Sequence, residues 1–290
     1  MDARTFGSPE QEAWLTLSYL ARVKARATPT AGVECYRICS SDPTSRSVVQ
    51  PASCSAANGS VSCTPPLVKI TDTCGPAGRV PFGLLPARPE AAGEVECFWL
   101  STEHLEAASV FAFAELAVSL EHHAAPSELV ARCRSAAEKE REHARLAGVE
   151  LRAMGLATVP VRRYPPAAPT LLDVALHNAA EGCVNESVAA LLALHESTVN
   201  ADPAMRSFFG RIAADECEHA ELAWDLHRGF LETLPAVDAR TLVLHLQAAA
   251  RAAQRAPVES SRLSDARARH SLRVDFVGRL LAHTRGAEAA

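Results

Sequence analysis

The chain has 290 residues, of which 48% are hydrophobic, 5% aromatic and 22% charged. That length and apolar content can bury one large core plus an appendage. The formal net charge of −5 argues against nucleic acid as the main partner.

The first 98 residues differ in composition from the rest. A short helix is predicted from Pro9 to Lys24, and residues 28–98 are rich in Pro, Ser, Thr, Gly and Cys, which predicts an irregular segment. Three disulfides among the six cysteines of this region would imply an oxidising compartment. A metal site is the weaker alternative because no paired Cys-x-x-Cys motif exists. The six are Cys35, Cys39, Cys54, Cys63, Cys74 and Cys97.

The start of the chain bears on the compartment. Residues 1–10 carry acidic side chains and no long apolar core, so they do not resemble a signal peptide. The apolar run Ala13 to Ala21 is too short to span a bilayer, and no transmembrane segment is expected. Free cysteines in a cytoplasmic protein are the simpler prediction, and an extracytoplasmic location stays open because of the six cysteines.

The rest of the chain predicts helices. Pro126 and Ser127 mark a first turn, and Asp202 with Pro203 marks a second, as N-cap and first helical residue. A second helix ends at Gly155. The link from Leu156 to Pro169 contains four prolines and predicts a long crossover, after which a third helix starts at Pro169 or Thr170.

Two further helices are predicted from about Val237 to Ala256 and from about Ser261 to Thr284, where apolar residues form one stripe each. Packing against the other helices is the default role, and a homodimer contact is the alternative. The fold class is therefore all-α, with an irregular N-terminal segment 1–98, a helical unit 99–235 and a C-terminal helical extension 236–290.

One eight-residue pattern occurs twice, 76 positions apart. Glu140 to Ala147 reads E-R-E-H-A-R-L-A, and Glu216 to Ala223 reads E-C-E-H-A-E-L-A. Residues three apart share a helix face, so each copy presents a carboxylate and an imidazole together. The matching flanks indicate an internal duplication.

A shift of 75 residues extends the repeat upstream, where it overlays Glu106 on Glu181. Each half then has one helix with a Glu and one with Glu-x-x-His, and the two halves predict six metal ligands. Glu186 is an alternative to Glu181, because its distance of about 16 residues from the second turn better matches the 14 of Glu216. Repeat symmetry favours Glu181. Glu103 is a weaker competitor in the first helix.

These four helices resemble the ferritin-like, rubrerythrin-like di-iron carboxylate superfamily, whose ligands converge inside a four-helix bundle with a long crossover. The resemblance covers roughly residues 100–234 and implies two iron ions, with Glu140 and Glu216 as bridges. It also implies a residue hydrogen-bonded behind a ligand imidazole, a role that Asp215 fits and Lys139 does not. The implied metal ligands are Glu106, Glu140, His143, Glu181, Glu216 and His219.

The donor set suits iron, and manganese or a mixed manganese and iron pair fits the same ligands. The resemblance implies an O2-activating oxidase or oxygenase acting on a small-molecule or peptide substrate. Iron storage fits less well, because about 100 residues precede the bundle and about 55 follow it. A ferroxidase, a peroxide-scavenging protein and a metal-free helical interaction protein are the alternatives.

Overall fold

The computed structural model describes residues 53–57, 60–64, 78–85, 93–163, 169–255 and 263–288. Helices dominate this part of the chain, which confirms the predicted helical class. In chain order they are α1 (Glu94–His122), α2 (Ser127–Ala153), α3 (Leu171–His177), a π-helical segment (Asn178–Glu186), α4 (Ser187–Val199), α5 (Pro203–Thr233), α6 (Ala236–Arg255) and α7 (Ala266–Glu288). No helix among the described residues is both long and apolar enough to cross a membrane.

One β-hairpin in the N-terminal region was not predicted from its composition. Strands β1 (Ser53–Ala57) and β2 (Ser60–Thr64) pair antiparallel, with Cys54 opposite Cys63. The Asn58-Gly59 pair that lies between them in the sequence favours such a hairpin. The predicted helix Pro9 to Lys24 lies outside the described residues. Cys97, in α1, is disulfide-bonded, so the simpler prediction of free cysteines does not hold there.

Local signals define the helix ends as predicted. Gly155 adopts φ 74°, and Leu156 donates its N–H to the carbonyl of Leu151 at 2.9 Å, which closes α2 with a Schellman motif. Thr170 and Asp173 form a reciprocal capping box at the start of α3. Asp202 caps α5, and Pro203 is its first residue.

Two helix pairs form the centre of the fold. The short links after α1 and α4 make α1 pack on α2 and α4 on α5, and α2 also contacts α5. The C-terminal helices complete the packing, since α6 lies against the π-helical segment and α7 against α6 and α4. The packing role predicted for the C-terminal helices is thus confirmed.

The apolar core is divided along the helices. One buried cluster lies near the α1–α2 turn and includes Phe113, Leu120 and Val130. Another lies towards the opposite ends of these helices and includes Phe98 and Leu151. The sequence positions between the two clusters are where buried acidic and histidine side chains occur.

Candidate metal centre

Six buried side chains meet between the two apolar clusters. α1 supplies one, α2 and α5 supply a Glu-x-x-His pair each, and the π-helical segment supplies one. Each is less than a tenth exposed. The six are Glu106, Glu140, His143, Glu186, Glu216 and His219.

The six residues form two overlapping groups. In the first group, Glu106, Glu140, His143 and Glu216 each offer one donor atom, and these atoms lie within 4.8 Å of one another. The second group comprises Glu140, Glu186 and His219 by the same measure. Because Glu140 belongs to both groups, its carboxylate lies where it can bridge two cations. Glu216 belongs to the first group, and its role as a second bridge stays a prediction.

The Nδ1 atoms of both histidines point into the cluster. Nδ1 of His143 lies 3.5 Å from Glu106, 3.6 Å from Glu140 and 3.3 Å from Glu216. Nδ1 of His219 lies 2.9 Å from the other oxygen of Glu140 and 4.0 Å from Glu186. The two oxygens of Glu140 therefore face different imidazoles.

The carboxylates of the cluster lie so close together that they shift one another's pKa values. Burial, followed by the charge of Glu140, raises the pKa of Glu106 well above its ordinary value. Burial, followed by the charges of Glu216 and Glu140, does the same to the pKa of Glu186. Burial opposes ionisation of Glu140 as well, but the imidazoles of His143 and His219 hold its pKa below the ordinary range. The four buried carboxylates are thus not all ionised together unless positive charge is added.

Unsatisfied polar atoms show what would fit between these residues. Within the described part of the chain, both oxygens of Glu140 and of Glu186, one oxygen of Glu216, and Nδ1 of both histidines are buried and make no hydrogen bond of acceptable geometry. Buried polar atoms are normally paired. Their convergence on two points fits divalent cations, which would take these oxygen and nitrogen atoms as ligands.

Five of the six predicted ligands lie together in the structure. Glu186 takes the place of the sixth, Glu181. Glu181 belongs to neither group; its carboxylate accepts hydrogen bonds from the Val80 N–H at 3.3 Å and from Nδ2 of Asn185 at 3.1 Å. Glu186, the alternative, occupies the position next to His219. Among the described residues, the geometry thus favours Glu186 over Glu181, the residue chosen by repeat symmetry.

The physical reason is the π-helical segment. In a π-helix the hydrogen bonds run from residue i to i+5, so each turn takes up more residues than in an α-helix. α1 is α-helical throughout, whereas the corresponding part of the second half is π-helical from Asn178 to Glu186. A shift of 75 residues therefore no longer pairs residues that face the same way, and Glu181 does not take the place that Glu106 has in α1. Distance from the turn, which favoured Glu186, was the signal that identified the residue.

A further contact lies behind the cluster, at the residue predicted for it. Nε2 of His143 hydrogen-bonds to Oδ2 of Asp215 at 3.2 Å. Lys139, the residue at the matching position of the first repeat, forms ion pairs with Asp215 at 2.7 Å and with Glu218 at 2.6 Å. Partial burial raises the pKa of Asp215, but its contacts with Lys139 and His143 outweigh burial and hold that pKa below its ordinary value.

Arg79 is a neighbour of the cluster that the sequence patterns did not predict. Its side chain is 1% exposed, donates to Oδ1 of Asn178 at 2.7 Å and stacks over Phe113. Its charge also lowers the pKa of Glu186, against the upward effect of burial and of the other carboxylates. The one sequence signal was Gly182, which interrupts an alanine-rich helix where another group approaches the backbone.

The remaining candidates lie outside the two groups. Burial raises the pKa of Glu103 to about 7, but Glu103 is in neither group. His177 stacks on Phe82 with ring centroids 3.9 Å apart. Cys133 and Cys183 are buried free thiols within the apolar core, where they pack as small hydrophobic residues.

Comparison of the chain with protein-family models, with curated proteins and with solved structures finds no match. The arrangement of the six side chains is therefore the basis for any functional conclusion.

Proposed function

We propose that this chain is a ferritin-like di-iron carboxylate protein that uses O2 to oxidise or oxygenate an organic substrate. The observation that carries the proposal is the pair of buried groups sharing Glu140, with unpaired donor atoms turned inward. The repeated Glu-x-x-His pairs on α2 and α5, joined by acids from α1 and the π-helical segment, support a ferritin-like arrangement.

The ligand chemistry favours iron. Four carboxylates and two imidazoles form the site, and no cysteine joins either group of the described residues. Oxygen donors with imidazole suit iron and manganese, whereas structural zinc favours thiolates. Ferrous ions held there would supply electrons for the reduction of O2.

The protein's own residues orient and shield the site. Glu140 would serve both metal positions, and Asp215 fixes the ring of His143 through its Nε2–H. Phe113 packs against the ring of His219 at 4.9 Å between centroids. The apolar clusters on both sides keep bulk water away from the carboxylates, so reactive species formed inside would be protected from solvent.

Two features favour substrate chemistry over iron storage. A groove of about 350 Å³ between α2 and α5 is lined by His219, Lys139 and Arg132, and it offers a small molecule a route to the site. The π-helical segment carries Glu186, and π-helical turns occur frequently at functional sites.

Anaerobic titration with ferrous iron tests the proposal. We expect two irons to bind per chain and near-ultraviolet absorption to develop on exposure to O2. With a large excess of iron, oxidation should stop after the bound pair is consumed and resume only with an added electron donor. Continuous oxidation of the excess would instead identify a ferroxidase.

Glu140→Ala should lose both irons, because that carboxylate serves both groups. Glu138→Ala is the matched control, since Glu138 lies on the same helix, is exposed and pairs with Arg141 at the protein surface. Circular dichroism verifies that both variants fold. Fewer than one tightly bound iron in the unmodified protein would overturn the proposal and favour a metal-free interaction protein.

A further inference from the structure

The two histidines of the cluster differ in what lies behind them. Nε2 of His143 has a carboxylate acceptor, Oδ2 of Asp215, at 3.2 Å. The other oxygen of Asp215 is held by Nζ of Lys139 at 2.7 Å, and Lys139 also reaches Glu218. Because both its oxygens are engaged, Asp215 is fixed in the orientation that faces His143.

Among the residues that the structure describes, His219 has no such acceptor. Its Nδ1 faces Glu140, and its Nε2, on the outer side of the ring, is buried without a hydrogen-bond partner. The residue that matches Asp215 in the other repeat is Lys139. An ammonium group can only donate, so Lys139 cannot accept a hydrogen bond from His219.

The two groups also differ in the number of side chains that could bind a metal, and the difference again favours the position at His143. The group around His143 has four residues, whereas the group around His219 has three. His219 also lines the groove between α2 and α5, whereas His143 is not among the residues that line it. A carboxylate behind a ligand imidazole increases its basicity, and loss of such a contact typically lowers metal affinity about 10–100-fold.

We infer that the two metal positions are unequal: the position at His143 binds a divalent cation tightly, and the position at His219 binds it weakly and exchanges it through the groove. Lys139 is the positioning residue that sets this difference, since it holds Asp215 towards His143 and leaves His219 without an acceptor. The inference rests on the proposed function, because it assumes that the cluster binds metal.

Anaerobic ferrous titration against a colorimetric chelator measures the two dissociation constants separately. We expect them to differ by about tenfold or more. His219→Ala should retain one iron at the affinity of the tight step, whereas His143→Ala should lose the tight step. Asp215→Asn should weaken the tight step about 10-fold or more, and Asp225→Asn, an ion-pair residue of α5 that contacts Arg132, should not.

Variants of Lys139 test the positioning role directly. Lys139→Met should bring the two dissociation constants closer together, while Lys139→Arg, which can still pair with Asp215, should preserve their ratio. A change that reflected only a loss of stability would affect both constants alike.

The outcomes separate this inference from the proposed function. If the unmodified protein binds no iron, the proposed function fails. If it binds two irons with equal affinity, or if His143→Ala keeps the tight step, the metal site stands and the inequality is refuted.

Discussion

The guanidinium of Arg79 occupies the space that a side chain at Gly182 would need. A β-carbon there would overlap Nη2 of Arg79 and lie 2.7 Å from both Cβ of Ala223 and Oδ1 of Asn178. Asn178 in turn accepts from Arg79 and donates to the carbonyl of Ala223 at 2.9 Å. Gly182 thus lets the segment 78–85 pack against the π-helical segment next to Glu186.

Gly182→Ala should therefore destabilise the protein. The new methyl group overlaps a buried cation and two close-packed neighbours, and overpacking of this kind costs about 1–3 kcal/mol. Urea denaturation followed by circular dichroism measures the change in the free energy of unfolding.

Gly210→Ala provides the control. Gly210 is an exposed residue of α5, and nothing lies within 4 Å of the point that a β-carbon would occupy. Alanine should stabilise this helix by roughly 0.5–1 kcal/mol. Equal effects of the two substitutions would mean that Arg79 is not close to Gly182.

Metal content should distinguish Glu186 from Glu181. Glu186→Gln removes a carboxylate from the group around His219, so binding of one of the two irons should be lost or weakened at least about tenfold. Glu181→Gln changes a side chain outside both groups and should leave two irons bound. Iron analysis after anaerobic loading and desalting measures the number of irons bound by each variant.

The opposite pattern, with loss of iron only in Glu181→Gln, would restore the assignment made by repeat symmetry. Asn185 offers a further check, because it donates to Glu181 but belongs to neither group. Asn185→Ala should behave as Glu181→Gln does.

His227 should contribute a pH dependence to stability. Burial lowers its pKa to about 4, whereas an unfolded histidine titrates near a pH of about 6.5. Above that pH neither state binds the proton, and the contribution of the neutral side chain is intact. Between pH 6.5 and about 4 the unfolded state takes up a proton that the folded state does not, so the free energy of unfolding falls.

His227→Leu removes this titration. In the presence of a chelator, the free energy of unfolding of the variant relative to the unmodified protein should rise by roughly 1–3 kcal/mol between about pH 7 and about pH 4. His270→Gln, at an exposed position of α7, is the control and should show a constant difference. A constant difference for His227→Leu would show that the folded protein accepts the proton readily.

Glu196 should hold the C-terminal helix in place. Its carboxylate is fully buried and accepts from the Ser264 N–H at 2.9 Å, the Ser264 hydroxyl at 2.6 Å and Nδ2 of Asn200 at 2.6 Å. Glu196→Gln places an amide donor against these donors and should cost roughly 1–3 kcal/mol.

Hydrogen exchange locates the effect of Glu196→Gln. Amides at the start of α7, from Ala266 onward, should exchange faster, while those of α2 should not change. Glu232→Gln, at an exposed position of α5, is the matched control. Uniformly faster exchange would mean that Glu196 supports the whole fold and not α7 alone.

Much of the fold was predictable because local signals dominate helix formation. The capping box at Thr170, the Asp202–Pro203 start of α5 and the Gly155 end of α2 depend on neighbouring residues alone. The Glu-x-x-His pairs were likewise predictable, since the α-helical period places both side chains on one face. The hairpin at residues 53–64 was not, because its region has a composition typical of irregular structure.

The sequence by itself determined which helices carry the acids and histidines, since that depends only on the helical period and the repeat. Tertiary structure decided that Glu186 and not Glu181 joins the cluster, because the π-helical segment changes the register after Asn178. It also decided the partners of Lys139 and Arg79, which come from other elements of the fold. Contacts between residues distant in the chain depend on how helices pack, and a local pattern does not specify that packing.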